Sequence, residues 1–167
     1  MQPGIEDLFE SWRTDAYTEG SYRNISDGSV WNNLKLPNGK LFFDRSPNCE
    51  DSHELRIALT LGFDGFSFTQ SKSERTHSSD ALSFSVANLP IQLRYQPRFV
   101  LLCGLAPGPK GLSTEQMQFI LKPVVDDLLR LYNEGMVVPT LQFPQGRLCR
   151  VVLIAGCMDH IALLLEV

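Results

Sequence analysis

Two aspartates are candidates for chemistry, because each follows a strongly apolar stretch of the chain. Asp64 comes directly after residues 55–63, LRIALTLGF, and Asp159 follows the apolar run at residues 148–155 and the Gly-Cys-Met that continues it. An aspartate in such a position is a turn residue, a helix cap or a ligand at the rim of a sheet. The turn interpretation is favoured for either residue alone, and the ligand interpretation requires that two acids converge.

Convergence of the two carboxylates would restrict the chemistry of the site. Two carboxylates about 4 Å apart repel each other by about 4 kcal/mol at an effective dielectric constant of 20. Such a pair therefore requires a proton or a divalent cation. Oxygen ligands suit Mg²⁺ or Mn²⁺, and a pair of these ions can hold the attacking and leaving oxygens of a phosphoryl transfer. We hypothesise that Asp64 and Asp159 form such a metal site if their strands are neighbours.

The composition disfavours several other classes of protein. The 167 residues, 43% of them apolar, are enough for one buried core, and the net charge of −4 disfavours nucleic-acid binding through a basic face alone. The four cysteines form no CxxC or Cys/His cluster, which disfavours a zinc site and is typical of reduced intracellular thiols. No secretory signal is present and no apolar run reaches the roughly 18 residues of a membrane span, so we expect an intracellular protein with no membrane partner.

A change in composition near residue 54 predicts two regions. Residues 1–54 are rich in Asp, Asn, Ser and Gly, and we expect an extended N-terminal arm. The turn signal Pro37-Asn38-Gly39-Lys40 between short apolar pieces predicts one small hairpin in this arm. Trp12 and Trp31 could dock the arm onto the core formed by residues 55–167.

The core region has the pattern of an α/β fold in which three strands, a helix and a further strand follow one another. Strands are predicted at residues 55–63, 81–89, 99–103, 137–143 and 148–155, with the last two forming a hairpin and a loop at residues 104–111. Ser113 and Gln116 form a capping-box pattern that begins the helix, and Gly135 ends it. Pro123 inside the helical pattern predicts a kink or a break into two helices.

Four sequence blocks occur in an order that resembles a known family. They are Asp64-Gly65-Phe66, Asn88-Leu89-Pro90 with Arg94, the Gly-Pro-rich stretch from Gly104 to Lys110, and the helical stretch from Pro123 to Leu128. In this order they resemble the transposases of CACTA-type (En/Spm-like) DNA transposons. Two upstream stretches, Ile25-Ser26-Asp27-Gly28 and Pro37 to Phe43, are similar to the segment that precedes the core of that family. The resemblance covers most of residues 24–162.

The resemblance implies a DDE-type cut-and-paste transposase on an RNase H-like core with a mixed sheet. Asp64 matches the first catalytic acid of the family. Asp159 matches the second, although Ile161 stands where the family motif has a proline. The third acid of the family has no counterpart in these residues, since Glu166 is too close to Asp159 to take its place. We therefore expect an incomplete, truncated core over residues 55–167.

The resemblance also implies a cofactor, partners and a location. It implies Mg²⁺ or Mn²⁺ bound by Asp64 and Asp159, transposon-end DNA as the partner of the intact enzyme, and the nucleus as the site of action. The favoured interpretation is a transposase fragment that is inactive alone. The alternatives are a non-catalytic interaction or inhibitory module that binds a full-length transposase, and a gene fragment without function.

Overall fold

The computed structural model describes residues 4–15, 18–46, 49, 53–67, 78–107 and 112–158. Its α-helices are α1 (Ile5–Glu10), α2 (Ser29–Asn33), α3 (Ile91–Arg94) and α4 (Thr114–Asn133), and its 3₁₀ helices are Ser11–Arg13, Ile25–Asp27 and Pro97–Phe99. Its strands are β1 (Leu55–Ser67), β2 (Ser78–Val86), β3 (Val100–Ala106), β4 (Met136–Val138) and β5 (Arg147–Met158). The α/β class predicted from the sequence is confirmed.

The five strands form one mixed sheet in the order β3-β2-β1-β5-β4. The first three strands are an antiparallel meander, and β4 pairs with β5 in the predicted hairpin. The chain then returns through α4, so that β5 lies parallel to β1. A parallel neighbour requires a long crossover connection, which α4 provides. The prediction that the first and last strands are parallel neighbours is confirmed.

The two faces of the sheet bury different sets of residues because side chains alternate along each strand. One face carries Leu55, Leu59 and Leu61 of β1, and it packs against α1 and the apolar stripe of α4. The other face carries Ala58 and Val152, which pack against residues of the N-terminal region. Strand β1 is therefore covered on both faces over much of its length.

The N-terminal region is more regular than the extended arm expected from its composition. Its described part contains α1, α2, two 3₁₀ helices and the predicted hairpin turn, which is held by an antiparallel bridge between Lys35 and Leu41. Trp12, Trp31 and Phe43 form an aromatic cluster, in which Trp31 stacks on Phe43 with ring centroids 3.7 Å apart. Aromatic packing of this kind buries a large area per residue, so a region with few apolar residues can still fold against the sheet.

The predicted ends of α4 are confirmed. Of the two alternatives predicted at Pro123, a kink or a break into two helices, the break is wrong. The Ser113 hydroxyl accepts a hydrogen bond from the Gln116 backbone N–H, and the Ser113 backbone N–H donates one to the Gln116 Oε1 atom. Gly135, with φ of +76°, follows the helix in the left-handed conformation. The helix is continuous through Pro123, which is exposed. The hydrogen bond that proline cannot donate is therefore lost on the solvent side, where water can replace it.

Four strands differ in length from the prediction, and β2 begins and ends three residues earlier than predicted. β5 begins at Arg147 and continues to Met158, beyond the predicted end at residue 155. β1 continues beyond residue 63 because its pairing with β2 extends to Ser67 and Ser78. β3 continues to Ala106, into the predicted loop, with a register irregularity opposite Leu82 and Ser83. β4 stops at Val138 because the next residue is a proline, which has no N–H to donate to the sheet.

Among the helices that the structure describes, none has the length and apolar content required to span a membrane.

Candidate functional site

Asp64 lies inside β1, where the sequence had placed it just beyond the end of a strand. It is exposed and pairs with Ala81 of β2. The pairing between β1 and β5, however, ends at Phe63 and Met158, so Asp64 is the first residue of β1 beyond the paired part of β5. The carboxylate therefore lies at the rim of the parallel half of the sheet although the strand itself continues.

Asp159 lies outside the described residues, so its position relative to Asp64 stays a prediction. What the structure establishes is the register of the two strands that lead to the aspartates. Phe63 and Met158, the residues that precede them in sequence, are partners in the parallel pair. Among the parts of the chain that are described, no group of three or more His, Cys, Asp or Glu side chains could hold a metal ion.

Part of the sheet face around Asp64 is formed by small residues. Residues paired across antiparallel strands share a face, as do alternate residues along one strand. Asp64 therefore shares a face with Ala81, and with Gly62 and its partner Ser83. A Cβ atom added at Gly62 would lie 2.9 Å from the Ser83 Oγ atom, so the two strands are closely packed there. Phe66, two residues further along β1, also shares this face, so small residues surround Asp64 only towards Gly62 and at its partner Ala81.

Asp80 is a second acid near this end of the sheet, and sequence reasoning did not identify it. It pairs with Gly65, one position along from the Asp64 pair, and therefore belongs to the opposite face. Its side chain is buried, and the Oδ2 atom accepts a hydrogen bond of 2.8 Å from the Leu112 backbone N–H. Asp80 thus fixes the segment that leads into α4. Apolar residues stand two and four positions after Asp80 in the same strand, and this pattern predicts that the Asp80 side chain faces the same side as theirs. The pattern could have identified Asp80 from the sequence.

The Asn-Leu-Pro block is a structural junction. The Ala58 N–H donates to the Asn88 Oδ1 atom over 2.7 Å, which ties the turn after β2 to β1. The Asn88 Nδ2 atom donates to the carbonyl oxygens of Phe9 and Arg56, over 2.9 and 2.8 Å. One buried amide therefore joins α1, β1 and the turn, and the N-terminal region is attached to the core at this residue.

Arg94 extends the same junction. Its Nη2 atom donates to the Ala87 and Leu89 carbonyl oxygens over 2.7 and 2.9 Å, and Nε also donates to Leu89. A further hydrogen bond of 3.0 Å from Nη2 reaches the Oδ1 atom of Asn24 in the N-terminal region. The roles of Asn88 and Arg94 depend on tertiary contacts that spacing along the chain does not indicate.

The basic residues Arg98 and Lys122 do not form a cluster in the described part of the chain. Lys122 is exposed and pairs with Asp126, one turn further along α4, over 2.8 Å. Arg98 is also exposed and lies over its neighbour Phe99. Lys110 lies outside the described residues. A continuous basic surface of the kind that binds duplex DNA through phosphates alone is therefore not built from these residues.

The sequence model of the Transposase family tnp2 matches residues 19–163. The match includes every strand of the sheet, α4, the Asn88–Arg94 junction, Asp64 and Asp159. No curated protein and no solved structure matches the chain.

Proposed function

The chain belongs to the Transposase family tnp2, and we propose that it represents part of the catalytic core of a DDE-type, CACTA-like cut-and-paste transposase. Asp64 and Asp159 are the first two acids of the metal site in this proposal. The intact reaction would cleave a phosphodiester at a transposon end and join the freed 3′-hydroxyl to target DNA in the nucleus. Transposon-end DNA would be the partner of that intact enzyme.

The observation that carries the proposal is the parallel pair of β1 and β5. The last partners, Phe63 and Met158, directly precede the two aspartates. A strand register of this kind favours convergence of two carboxylates, because neighbouring parallel strands bring corresponding residues to the same edge. The order of a three-strand meander, a helix and a strand parallel to β1 is also the order expected of an RNase H-like core.

The residues near Asp64 fit a hydrated divalent cation. The carboxylate is exposed, and its neighbours Ala81, Gly62 and Ser83 on the same face are small. Asp64 and Asp159 would hold Mg²⁺ or Mn²⁺, which would stabilise charge on the attacked phosphate and the leaving oxygen. Two carboxylates supply too few of the six oxygen ligands that Mg²⁺ requires, so we propose millimolar affinity and little or no activity for this chain alone.

Binding of Mn²⁺ tests the site without requiring activity. Electron paramagnetic resonance of free Mn²⁺ should show millimolar binding that is lost in Asp64→Asn and in Asp159→Asn. Asp127→Asn is the matched control, because Asp127 is an exposed acid on α4. The proposed site is wrong if Mn²⁺ binding by the two site variants equals binding by the control.

A second candidate function is a non-catalytic interaction or inhibitory module that binds a full-length transposase. The observation that favours it is the edge strand β3, which pairs with β2 on one side and is the last strand of the sheet. Leu101, Leu102 and Leu105 on this strand are exposed. An unpaired apolar edge can add a strand from another chain, and a related protein would offer a matching strand.

A further inference from the structure

A surface pocket lies where the N-terminal region meets α3. It has a volume of about 420 Å³, and its lining includes Tyr22, Arg23, Asn24, Ile91, Gln92 and Arg94. The volume is within the range typical of small-ligand sites. These residues belong neither to the proposed metal site nor to the exposed β3 edge. The pocket is therefore a separate surface feature.

Arg94 is a buried cation without a counter-charge in the described part of the chain. Its side chain is 5% exposed, and its hydrogen bonds go to two backbone carbonyls and to the neutral side chain of Asn24. None of the described carboxylates forms an ion pair with it. Burial of an unpaired charge is costly, and the positive charge at the base of the pocket would be compensated by an anion.

The other buried arginines of the described residues differ from Arg94 in this respect. Arg147 pairs with Glu10 over 2.7 Å, and Arg56 pairs with Glu54 over 2.6 Å. Asp15 and Asp27 line a neighbouring cleft that shares Arg23 and Asn24 with the pocket. Asp27 accepts hydrogen bonds from the backbone N–H groups of Arg23 and Asn24, so this carboxylate is already used within the N-terminal region.

The rim of the pocket is apolar and aromatic. Tyr22 is 76% exposed and Ile91 is 65% exposed, although both side chains line the pocket. An exposed tyrosine beside a cationic site is the pairing that single-stranded nucleic acids use, because the base stacks on the ring and the phosphate meets the cation. A duplex would not offer a free base to Tyr22, since its bases are already stacked.

We propose that this pocket binds one nucleotide of single-stranded DNA, with a phosphate at Arg94 and the adjacent base against Tyr22 and Ile91. The choice of DNA rests on the proposed function, in which transposon-end DNA is the partner of the enzyme, and the choice of a single strand rests on the exposed ring of Tyr22. The anion site itself rests on the burial and partners of Arg94. Gln92, exposed on the pocket wall, lies where an added negative charge would repel the phosphate.

Fluorescence anisotropy with a short labelled single-stranded oligonucleotide tests the pocket. The full chain is used at low salt with a metal chelator, so the result does not depend on Asp64 or Asp159. Gln92→Glu and Tyr22→Ala should each weaken binding roughly tenfold, the scale of losing one stacked base or one phosphate contact. Tyr95→Ala is the control, because Tyr95 is 62% exposed, follows α3 directly and does not line the pocket.

The proposal is overturned if the oligonucleotide does not bind, or if both pocket variants bind it as tightly as the control does. Competition distinguishes the source of the phosphate. A nucleoside monophosphate that displaces the oligonucleotide at an equal nucleotide concentration would assign the pocket to free nucleotides and overturn the assignment to DNA. If Mn²⁺ does not bind but the oligonucleotide does, the metal site is rejected and the proposal for this pocket is retained.

Discussion

At the scale of single residues, Asp64 is the acid whose position the structure describes. It is exposed at the point where β1 passes beyond β5, opposite the small residue Ala81 of β2. The apolar run before Asp64 predicted a position just beyond the end of a strand, whereas Asp64 lies within β1, at the end of its pairing with β5. The continuation of β1 to Ser67 was not predicted, because it depends on pairing with β2, which is a contact between distant parts of the chain.

The first prediction concerns catalysis by the two proposed acids. In a nicking assay with a labelled duplex and Mn²⁺, the wild-type chain, Asp64→Asn and Asp159→Asn should give the same low background. The reason is that two carboxylates leave most positions around a cation to water, so the reacting phosphate is poorly held. Cleavage by the wild type that disappears in both variants would show that the chain is an active nuclease.

Glu6 is a buried acid on α1 with consequences for pH dependence. Burial alone would raise the pKa of Glu6, because burial disfavours the charged form. A hydrogen bond from the Thr140 side chain, hydrogen bonds from backbone N–H groups and the charge of Arg147 outweigh burial and lower the pKa of Glu6 from its ordinary value of 4.5. The contribution of ionised Glu6 to stability is thus present above about pH 4.5 and is lost as the pH falls through the lower folded-state pKa.

The second prediction follows from this shift in the pKa of Glu6. The free energy of unfolding of the wild type, measured in urea, should fall between pH 5 and pH 3, and Glu6→Gln should reduce that fall. Glu115→Gln is the control, because Glu115 is exposed in the first turn of α4. Parallel pH profiles for the wild type and Glu6→Gln would contradict the prediction.

At the scale of elements, the ends of α4 could be predicted from sequence because they depend on local chemistry. A serine cap with a glutamine three residues on, and a glycine after the last turn, act within a few residues of each other. The junction at Asn88 and Arg94 could not be predicted in this way. Its hydrogen bonds reach Phe9 and Asn24, which are far away in sequence.

The third prediction compares two causes of lost stability when alanine replaces a glycine, namely backbone strain and close contact of the added Cβ atom. Gly135 and Gly39 both have positive φ, +76° and +81°, so alanine at either position carries left-handed strain of roughly 1–2 kcal/mol. Only at Gly135 does the added Cβ lie 2.9 Å from the Cys149 carbonyl oxygen, while the space at Gly39 is open. Urea denaturation should therefore show a larger loss of stability for Gly135→Ala than for Gly39→Ala, and equal losses would contradict this packing.

At the scale of the whole molecule, the centre of the sheet is covered on both faces, whereas its edge strand β3 carries exposed apolar residues. The aromatic cluster and α4 cover much of β1, whereas β3 leaves Leu102 66% exposed at the end of the sheet. The order of the strands around β1 was predictable from the apolar pattern and the helix between strands. The compact N-terminal region was not, because its helices are short and depend on packing against the sheet.

The fourth prediction concerns association through the open edge. Sedimentation velocity should show self-association of the wild type at high concentration and a monomer for Leu102→Lys. The reason is that a charged side chain on an edge strand prevents a strand of another molecule from pairing with it. Val30→Lys adds the same charge at a position on α2 that is 57% exposed and distant in sequence from β3. It should associate as the wild type does. Equal behaviour of the two variants would exclude β3 as the contact.

The aromatic cluster also has a spectroscopic consequence. The chain contains two tryptophans, Trp12 and Trp31, and both lie in the N-terminal region with side chains 2% and 1% exposed. The sheet and α4 contribute none. Emission excited selectively from indole therefore comes from this region alone, and a red shift that precedes loss of far-ultraviolet ellipticity would mark its detachment from an intact sheet.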